Sequence, residues 1–170
     1  MAADYERFDT PSDIVQRVRE LRPKTVIVDV EPLVAWWDSG QEPLDSGVAR
    51  MVSQLGGLAG VSVLCFATNS VRRPSRIPAA AAAEVVYLAS AGKPLQIAQY
   101  RSLPTPGLVI GDQVLTDGIL ARRLGYAFLH YCPQPAGMPI GPRLLRYAGA
   151  PVQRFLFGPA RDRALLVENC

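Results

Sequence analysis

Acidic side chains follow two apolar segments of this 170-residue sequence, in positions where they could bind a cation. Asp29 and Glu31 close the run VIVDVE, and Asp112 and Asp117 lie in GDQVLTD, directly after the run LVI. A carboxylate beside an apolar strand is costly to bury unless it is paired or binds a cation. Carboxylate oxygens are also the ligands that Mg²⁺ prefers. The two pairs therefore predict either a divalent-cation site or strand ends that simply reach solvent.

Two further segments offer groups that bind anions. Thr68, Asn69 and Ser70 follow the apolar run at residues 61–66, where their donors either suit an anion or cap the next helix. Lys93 directly precedes Pro94, and proline is favoured at the first position of a helix. A lysine at a helix N-terminus opposes the helix dipole unless an anion is also present. Lys93 is therefore predicted to lie at the start of a helix, beside an anion.

These residues need a scaffold, and the sequence alternates short apolar runs with helix-like segments. The apolar runs predict strands at residues 24–30, 61–66, 85–88, 108–110 and 126–130. A polar, amphipathic stretch occupies residues 12–21, and helices are predicted at residues 44–58, 77–84, 94–101 and 114–124. Such alternation indicates an α/β fold with a doubly wound, Rossmann-like parallel sheet covered on both faces. Ligands of these sheets bind at the carboxyl ends of the strands, where the candidate residues lie.

The composition excludes several other classes of protein. A hydrophobic content of 49% and a charged content of 19% indicate a globular protein, and a net charge of +3 argues against a nucleic-acid partner. The only histidine, His130, excludes a histidine-rich metal site. The three cysteines form no CxxC pair, which suits free thiols in a reducing compartment. Without a signal-peptide core or an 18-residue apolar run, the chain is predicted to be cytoplasmic.

The C-terminal part of the chain has a different composition. Four prolines within residues 132–142 exclude a long regular element there, and residues 143–157 are apolar, with interspersed arginines and an interruption at Pro151. We expect an α/β domain at residues 1–132 and a Pro-rich C-terminal extension at residues 133–170, which packs on that domain or extends from it. Residues 143–157 predict either a terminal helix on the sheet or a basic amphipathic surface for a membrane or a partner; the break at Pro151 weakens the second alternative.

In their order along the chain, VIVDVE, FATNS, AGKP and GDQVLTD resemble the motifs of the haloacid-dehalogenase-like (HAD) superfamily. GDQVLTD in particular resembles the YqeG-type subfamily IIIA phosphatases, and the resemblance spans residues 12–130. It implies a capless HAD-like fold and a magnesium-dependent phosphomonoester hydrolase. Its substrate would be a phosphorylated small molecule, protein or lipid, such as phosphatidylglycerophosphate, with peripheral membrane contact through the C-terminal tail.

The resemblance also implies a role for each matching residue. Asp29 would be the nucleophile that forms an aspartyl-phosphate, and Glu31 stands at the position of the general acid/base. Thr68 and the main-chain amide of Asn69 would hold the phosphoryl oxygens. Lys93 would offset the charge between the nucleophile and the phosphoryl group.

The same resemblance implies a Mg²⁺ site with Asp29, the main-chain carbonyl of Glu31 and Asp112 as ligands, and with Asp117 as a supporting carboxylate. The family has an aspartate where this chain has Glu31, whose extra methylene displaces the carboxyl by about 1 Å, a misplacement that can cost a hundredfold in rate. A catalytically impaired protein that binds a phosphorylated ligand or partner is therefore the alternative. A receiver-like domain fits less well, because receivers place their further acidic residues before the phosphorylated one.

Overall fold

Short runs of β-branched and aliphatic residues form the strands of one parallel sheet in the computed structural model, which describes residues 5–134 and 137–157. The strand order is β1-β6-β5-β2-β3-β4, and every neighbouring pair is parallel. The strands are β1 (Tyr5–Phe8), β2 (Thr25–Asp29), β3 (Val63–Ala67), β4 (Glu84–Leu88), β5 (Gly107–Gly111) and β6 (Ala127–Tyr131). The helices are α1 (Pro11–Leu21), α2 (Gln41–Leu55), α3 (Ile119–Leu124) and α4 (Ile140–Phe157). The predicted α/β class with a Rossmann-like parallel sheet is confirmed.

Alternate residues of the central strands pack on opposite faces of the sheet. Val26 and Val28 of β2 belong to the core on the α1 and α2 side, where Ile14 of α1 is buried. Ile27 points to the other face and shares its core with Leu120 of α3. Both faces of the central strands are therefore buried, which explains why these strands read as continuous apolar runs.

The order of the strands reverses at β2 and thereby creates a binding crevice. From β2 the chain continues to β3 and β4 on one side, and β5 and β6 then lie on the other side. The connections leaving the carboxyl ends of β2 and β5 consequently diverge, and such switch points are where ligands bind in open α/β sheets. Asp29 ends β2 and Asp112 follows β5, so the topology itself brings these two residues together.

Two predicted helices, at residues 77–84 and 94–101, do not form. Residues 77–83 are irregular and Glu84 begins β4. The five-alanine run at 79–83 favours a helix but is too short to overcome the cost of nucleation. In the second segment only a 3₁₀ turn forms, Ala98–Tyr100, and the Leu95 side chain stays 77% exposed. The prediction that Lys93 lies at the N-terminus of a helix was therefore wrong.

The ends of the sheet differ from the sequence prediction as well. β1 was not predicted, because YERF contains no apolar run, yet Tyr5 and Phe8 are buried and β1 pairs with β6. α4 continues through Pro151, so the predicted interruption of the helix was wrong. Gly149 and Phe157 of this helix pack against the π-helical turn Val114–Gly118. α3 follows that turn directly, so the turn and α3 together occupy the predicted helix at residues 114–124. Residues 158–170 of the predicted C-terminal extension lie outside the described residues.

Two further sequence predictions concern thiols and membrane spans. Cys65 and Cys132 are buried free cysteines, as predicted, whereas Cys170 is outside the described residues. In residues 5–134 and 137–157, no helix has both the length and the apolar composition needed to cross a bilayer.

Candidate functional site

The sequence-predicted site residues meet at the carboxyl edge of the sheet. Asp29 ends β2, Thr68 follows β3, Lys93 lies in the loop after β4, and Asp112 follows β5. Asp29, Thr68 and Lys93 line a pocket of about 170 Å³. Its lining residues are Asp29, Glu31, Trp37, Thr68, Asn69, Ser70, Lys93, Gln113 and Thr116. Asp112 and Asp117 do not line the pocket; they are fully buried in the adjoining loop.

Lys93 joins two carboxylates beneath this pocket. Its Nζ lies 2.8 Å from Oδ1 of Asp29 and 2.7 Å from Oδ1 of Asp117, and all three side chains are buried. Burial alone would lower the pKa of Lys93, but the charges of Asp117 and Asp29 raise it above its ordinary value. The two carboxylates therefore favour the protonated, cationic form of Lys93.

Burial and negative neighbours raise the pKa values of two carboxyl groups at the site. The pKa of Asp29 is raised by burial and by the charge of Asp117, although Lys93 opposes the shift. For Asp112, burial and then the charge of Asp117 raise the pKa from 3.8 to about 8. Three clustered carboxylates share one ammonium group, which contacts Asp29 and Asp117, so two negative charges remain uncompensated when all three are ionised.

A divalent cation would fit this excess of buried negative charge. One oxygen from each of Asp29, Asp112 and Asp117 lies within 4.8 Å of the others. Asp112 is only 1% exposed, and neither of its carboxylate oxygens has a hydrogen-bond partner among the described residues. Buried carboxylates without partners are costly, whereas an all-oxygen donor set suits Mg²⁺. The donor chemistry is therefore compatible with the cation that the sequence predicted.

Gly111 permits the close approach of Asp117 to the end of β5. A Cβ atom at position 111 would lie 2.3 Å from Oδ2 of Asp117, closer than side chains tolerate. The same carboxylate accepts a hydrogen bond of 3.3 Å from the main-chain N–H of Gln113. The glycine in GDQVLTD thus has a steric reason beyond the tight turn: it leaves room for the carboxylate that holds Lys93.

The carboxylate of Glu31 belongs to a different part of the pocket. The Thr68 hydroxyl donates a hydrogen bond of 2.6 Å to Oε2 of Glu31, and the Ser70 hydroxyl lies 3.5 Å from Oε1. Arg72 forms an ion pair of 3.5 Å with the same Oε1. Glu31 is not a member of the three-carboxylate group around Lys93. The role of its main-chain carbonyl as a metal ligand stays a prediction.

Asn69 fixes the position of Lys93. Its side-chain amide donates to the Lys93 carbonyl at 2.9 Å, and its side-chain oxygen accepts from the Lys93 N–H at 2.8 Å. This reciprocal pair ties the loop after β3 to the loop after β4. Lys93 is thereby positioned by a side chain of the neighbouring loop and not by a helix terminus, and the side chain of Asn69 is already occupied.

Sequence reasoning missed Arg72, which holds one wall of the pocket. Its guanidinium group donates hydrogen bonds to the carbonyls of Trp36, Trp37 and Ser39, at 3.0, 3.2 and 2.7 Å respectively. Arg72 lies in the loop after β3, so these bonds and its ion pair with Glu31 tie that loop to the loop after β2, where Trp37 lines the pocket. A single arginine in an irregular loop has no periodicity or motif that could have revealed this role.

Comparisons with protein-family models, with curated proteins and with solved structures found no match to this chain.

Proposed function

We propose that the protein is a magnesium-dependent phosphomonoester hydrolase that forms an aspartyl-phosphate on Asp29. The observation that carries this proposal is the arrangement beneath the pocket. Lys93 bridges Asp29 and Asp117 beside Asp112, whose buried carboxylate has no partner among the described residues. Phosphoryl transfer requires mainly positioning and compensation of negative charge, and this cluster offers both. The motif order that resembles the HAD superfamily supports the same reaction.

The chemistry assigned to the chain's own residues proceeds in two steps. A carboxylate oxygen of Asp29 attacks phosphorus, the bond from phosphorus to the ester oxygen breaks, and the departing alkoxide takes a proton from Glu31. Glu31 then removes a proton from water, whose oxygen attacks the aspartyl-phosphate and releases inorganic phosphate and free Asp29. Lys93 holds Oδ1 of Asp29, which leaves the other carboxylate oxygen for the attack.

Donors for the phosphoryl oxygens come from the loop after β3. Thr68 is fully buried and its hydroxyl points to Glu31 in the structure. Because the Asn69 side chain is bound to the Lys93 main chain, its contribution to phosphate binding would come from its main-chain N–H. A divalent cation held by Asp29, Asp112 and Asp117 would offset the charge of the phosphoryl oxygens.

The hydrolysis of p-nitrophenyl phosphate, measured with Mg²⁺ and with EDTA, tests this function. We expect Mg²⁺-dependent turnover that Asp29→Asn abolishes and that Glu31→Asp increases if the longer side chain slows the reaction. Asp45→Asn is the matched control, because Asp45 is a half-buried aspartate on α2 whose carboxylate accepts a hydrogen bond from the Ser75 main chain. Mg²⁺-independent turnover, or turnover that survives Asp29→Asn, would contradict the mechanism.

The alternative proposal is a catalytically impaired protein that binds a phosphorylated ligand or partner. Its basis is Glu31, which replaces the family's aspartate and whose carboxylate contacts Thr68 and Arg72. Beryllofluoride mimics a phosphoryl group on an aspartate and separates the two proposals. Binding of beryllofluoride and Mg²⁺ without turnover by the wild type or Glu31→Asp would favour the impaired binder.

We further propose that the substrate is large, and specifically a lipid phosphate presented at a membrane surface. α4 contains no acidic residue, and its outward side chains Ile140, Leu144, Tyr147 and Phe155 are exposed. Apolar side chains together with arginines suit an anionic lipid surface. α4 also packs on the turn that carries Asp117, which places this surface next to the site.

Sedimentation with lipid vesicles tests this part of the proposal. The protein should bind vesicles of phosphatidylcholine with phosphatidylglycerol more tightly than vesicles of phosphatidylcholine alone. Leu144→Glu and Arg154→Glu should each reduce binding, because they remove an exposed apolar contact or an exposed cation of α4. Leu95→Glu is the matched control, since Leu95 is also an exposed leucine, 77% against 63% for Leu144, but lies in the loop after β4. Equal losses for all three variants would contradict a role of α4.

A further inference from the structure

His130, the only histidine of the chain, links the edge strand β1 to the candidate cation site. Its Nδ1 lies 2.6 Å from the hydroxyl of Tyr5, and its Nε2 lies 3.0 Å from the main-chain carbonyl of Asp112. Both side chains are buried, with 7% of His130 and 5% of Tyr5 exposed. Three segments that are distant in sequence are thus connected by two hydrogen bonds.

The partners of His130 determine the tautomer of its ring. A main-chain carbonyl can only accept a hydrogen bond, so Nε2 must carry the proton that it donates to Asp112. With Nε2 protonated, Nδ1 of the neutral ring is an acceptor, and the Tyr5 hydroxyl lies 2.6 Å from it. The Tyr5 hydroxyl is then the donor to Nδ1. This orientation satisfies every polar atom of the buried ring.

The hydrogen bond from His130 holds the main chain of Asp112 and not its carboxylate. Neither of its oxygens has a hydrogen-bond partner among the described residues, so its position follows from its own main chain. The Asp112 carbonyl lies just beyond the end of β5, where the ladder with β6 ends at the pair of Gly111 and His130. The imidazole of His130 therefore continues the contact between the two strands at the point where the chain enters the site.

We infer that His130 is a positioning residue for divalent-cation binding, and that Tyr5 fixes the imidazole in the orientation that holds Asp112. This inference rests on the cation site of the proposed function but goes beyond it, since it extends the site to β1. Groups that orient metal ligands in this way commonly change metal affinity by about 10- to 100-fold when they are removed.

The affinity for Mn²⁺, measured by electron paramagnetic resonance, tests the role of His130. We expect His130→Phe to weaken Mn²⁺ binding by about 10-fold or more. His130→Gln should recover most of the loss, because its side-chain amide can still donate to the Asp112 carbonyl. Tyr5→Phe should have a smaller effect, about two- to tenfold, because it removes one hydrogen bond from the ring. The control is Tyr126→Phe, which removes a tyrosine hydroxyl bound to Leu103 and Pro104, away from the site.

Nitrogen NMR of histidine-labelled protein gives a second readout, which a purely structural role would not change. Because the chain has one histidine, its ring gives one pair of nitrogen signals. We expect a protonated Nε2 and an unprotonated Nδ1, a shift of the Nε2 signal when Mg²⁺ is added, and a shift of the Nδ1 signal in Tyr5→Phe, where that nitrogen loses its donor.

The outcomes separate this inference from the proposed function. A wild-type protein that binds no Mn²⁺ would contradict the cation site itself. Wild-type affinity in His130→Phe, an equally large loss in His130→Gln and His130→Phe, or a ring protonated at Nδ1 would each overturn the positioning role while leaving the cation site intact.

Discussion

The substitution Gly111→Ala is expected to displace Asp117 and so to weaken the ion pairs beneath the pocket. A Cβ atom at position 111 would lie 2.3 Å from Oδ2 and 2.4 Å from Cγ of Asp117, whereas ordinary contact begins at 3.4 Å. The carboxylate must therefore retreat by about 1 Å. Asp117 is 0% exposed, so it cannot move aside into solvent.

The expected loss of stability follows from the contacts of Asp117. Its Oδ1 lies 2.7 Å from Nζ of Lys93. A separation longer by about 1 Å would reduce their attraction by about 2 kcal/mol at an effective dielectric constant of about 20. Overpacking of a buried site itself typically costs about 1–3 kcal/mol. We expect a combined loss of about 3–5 kcal/mol in the free energy of unfolding, and a loss of about tenfold or more in divalent-cation affinity.

Urea unfolding and Mn²⁺ affinity, measured on three glycine variants, test this expectation. Gly107→Ala is the control for stability, because its Cβ would lie 2.3 Å from the Tyr126 ring at the opposite end of β5. It should destabilise the protein without changing Mn²⁺ affinity. Gly57→Ala is the neutral control, since nothing lies within 4 Å of its added Cβ. Wild-type Mn²⁺ affinity in Gly111→Ala, or a loss of Mn²⁺ affinity no larger than in Gly107→Ala, would refute the proposed displacement of Asp117.

Three further predictions concern protonation, thiol reactivity and the wall of the pocket. In EDTA, the free energy of unfolding should fall as the pH rises from about 4 to about 8. Burial raises the pKa of Asp112 from 3.8 to about 8, so in this range the folded state keeps a proton that the unfolded chain releases. Asp112→Asn should flatten this dependence in urea unfolding at about pH 5 and about pH 8, and an equally steep profile would contradict the assignment. Burial raises the pKa of the Cys65 thiol to about 12, so an alkylating reagent should modify this thiol only as fast as the protein unfolds. Mass spectrometry measures the rate, and rapid alkylation in native buffer would contradict the buried position of Cys65. Arg72→Ala should accelerate chymotrypsin cleavage after Trp36 or Trp37 by about tenfold, because it frees both carbonyls. Arg72→Lys should not restore protection, since lysine lacks the planar fork of donors. Wild-type cleavage rates in both variants would disprove the role of Arg72.

The sequence was sufficient for the central sheet and for the residues that its topology brings together. Residues at the ends of buried parallel strands must share one edge, so Asp29, Thr68 and Asp112 could be placed near one another from the apolar runs alone. Lys93 was singled out for a helix terminus that does not form, and Asn69 holds it instead. Its residue type and its place after β4 carried more information than the predicted local structure.

The elements that were mispredicted depend on tertiary contacts without a local pattern. YERF becomes a strand because β6 offers an edge and the two aromatic side chains find buried space. The alanine run at 79–83 favours a helix in isolation but has little apolar surface to bury on the sheet. Arg72 and His130 escaped notice for a related reason, because their roles depend on main-chain carbonyls of distant loops, which a sequence does not reveal.

The pairing of β1 with β6 also has a consequence for the order in which the protein can be completed during synthesis. Tyr5 and His130 are separated by 125 positions, and every residue between them must leave the ribosome before the two side chains can meet. β2, β3 and β4 can associate earlier, since they are neighbours both in the sheet and along the chain. The nascent chain should therefore hold an open sheet edge and an unfinished Asp112 loop until β6 emerges, and only then acquire its final arrangement.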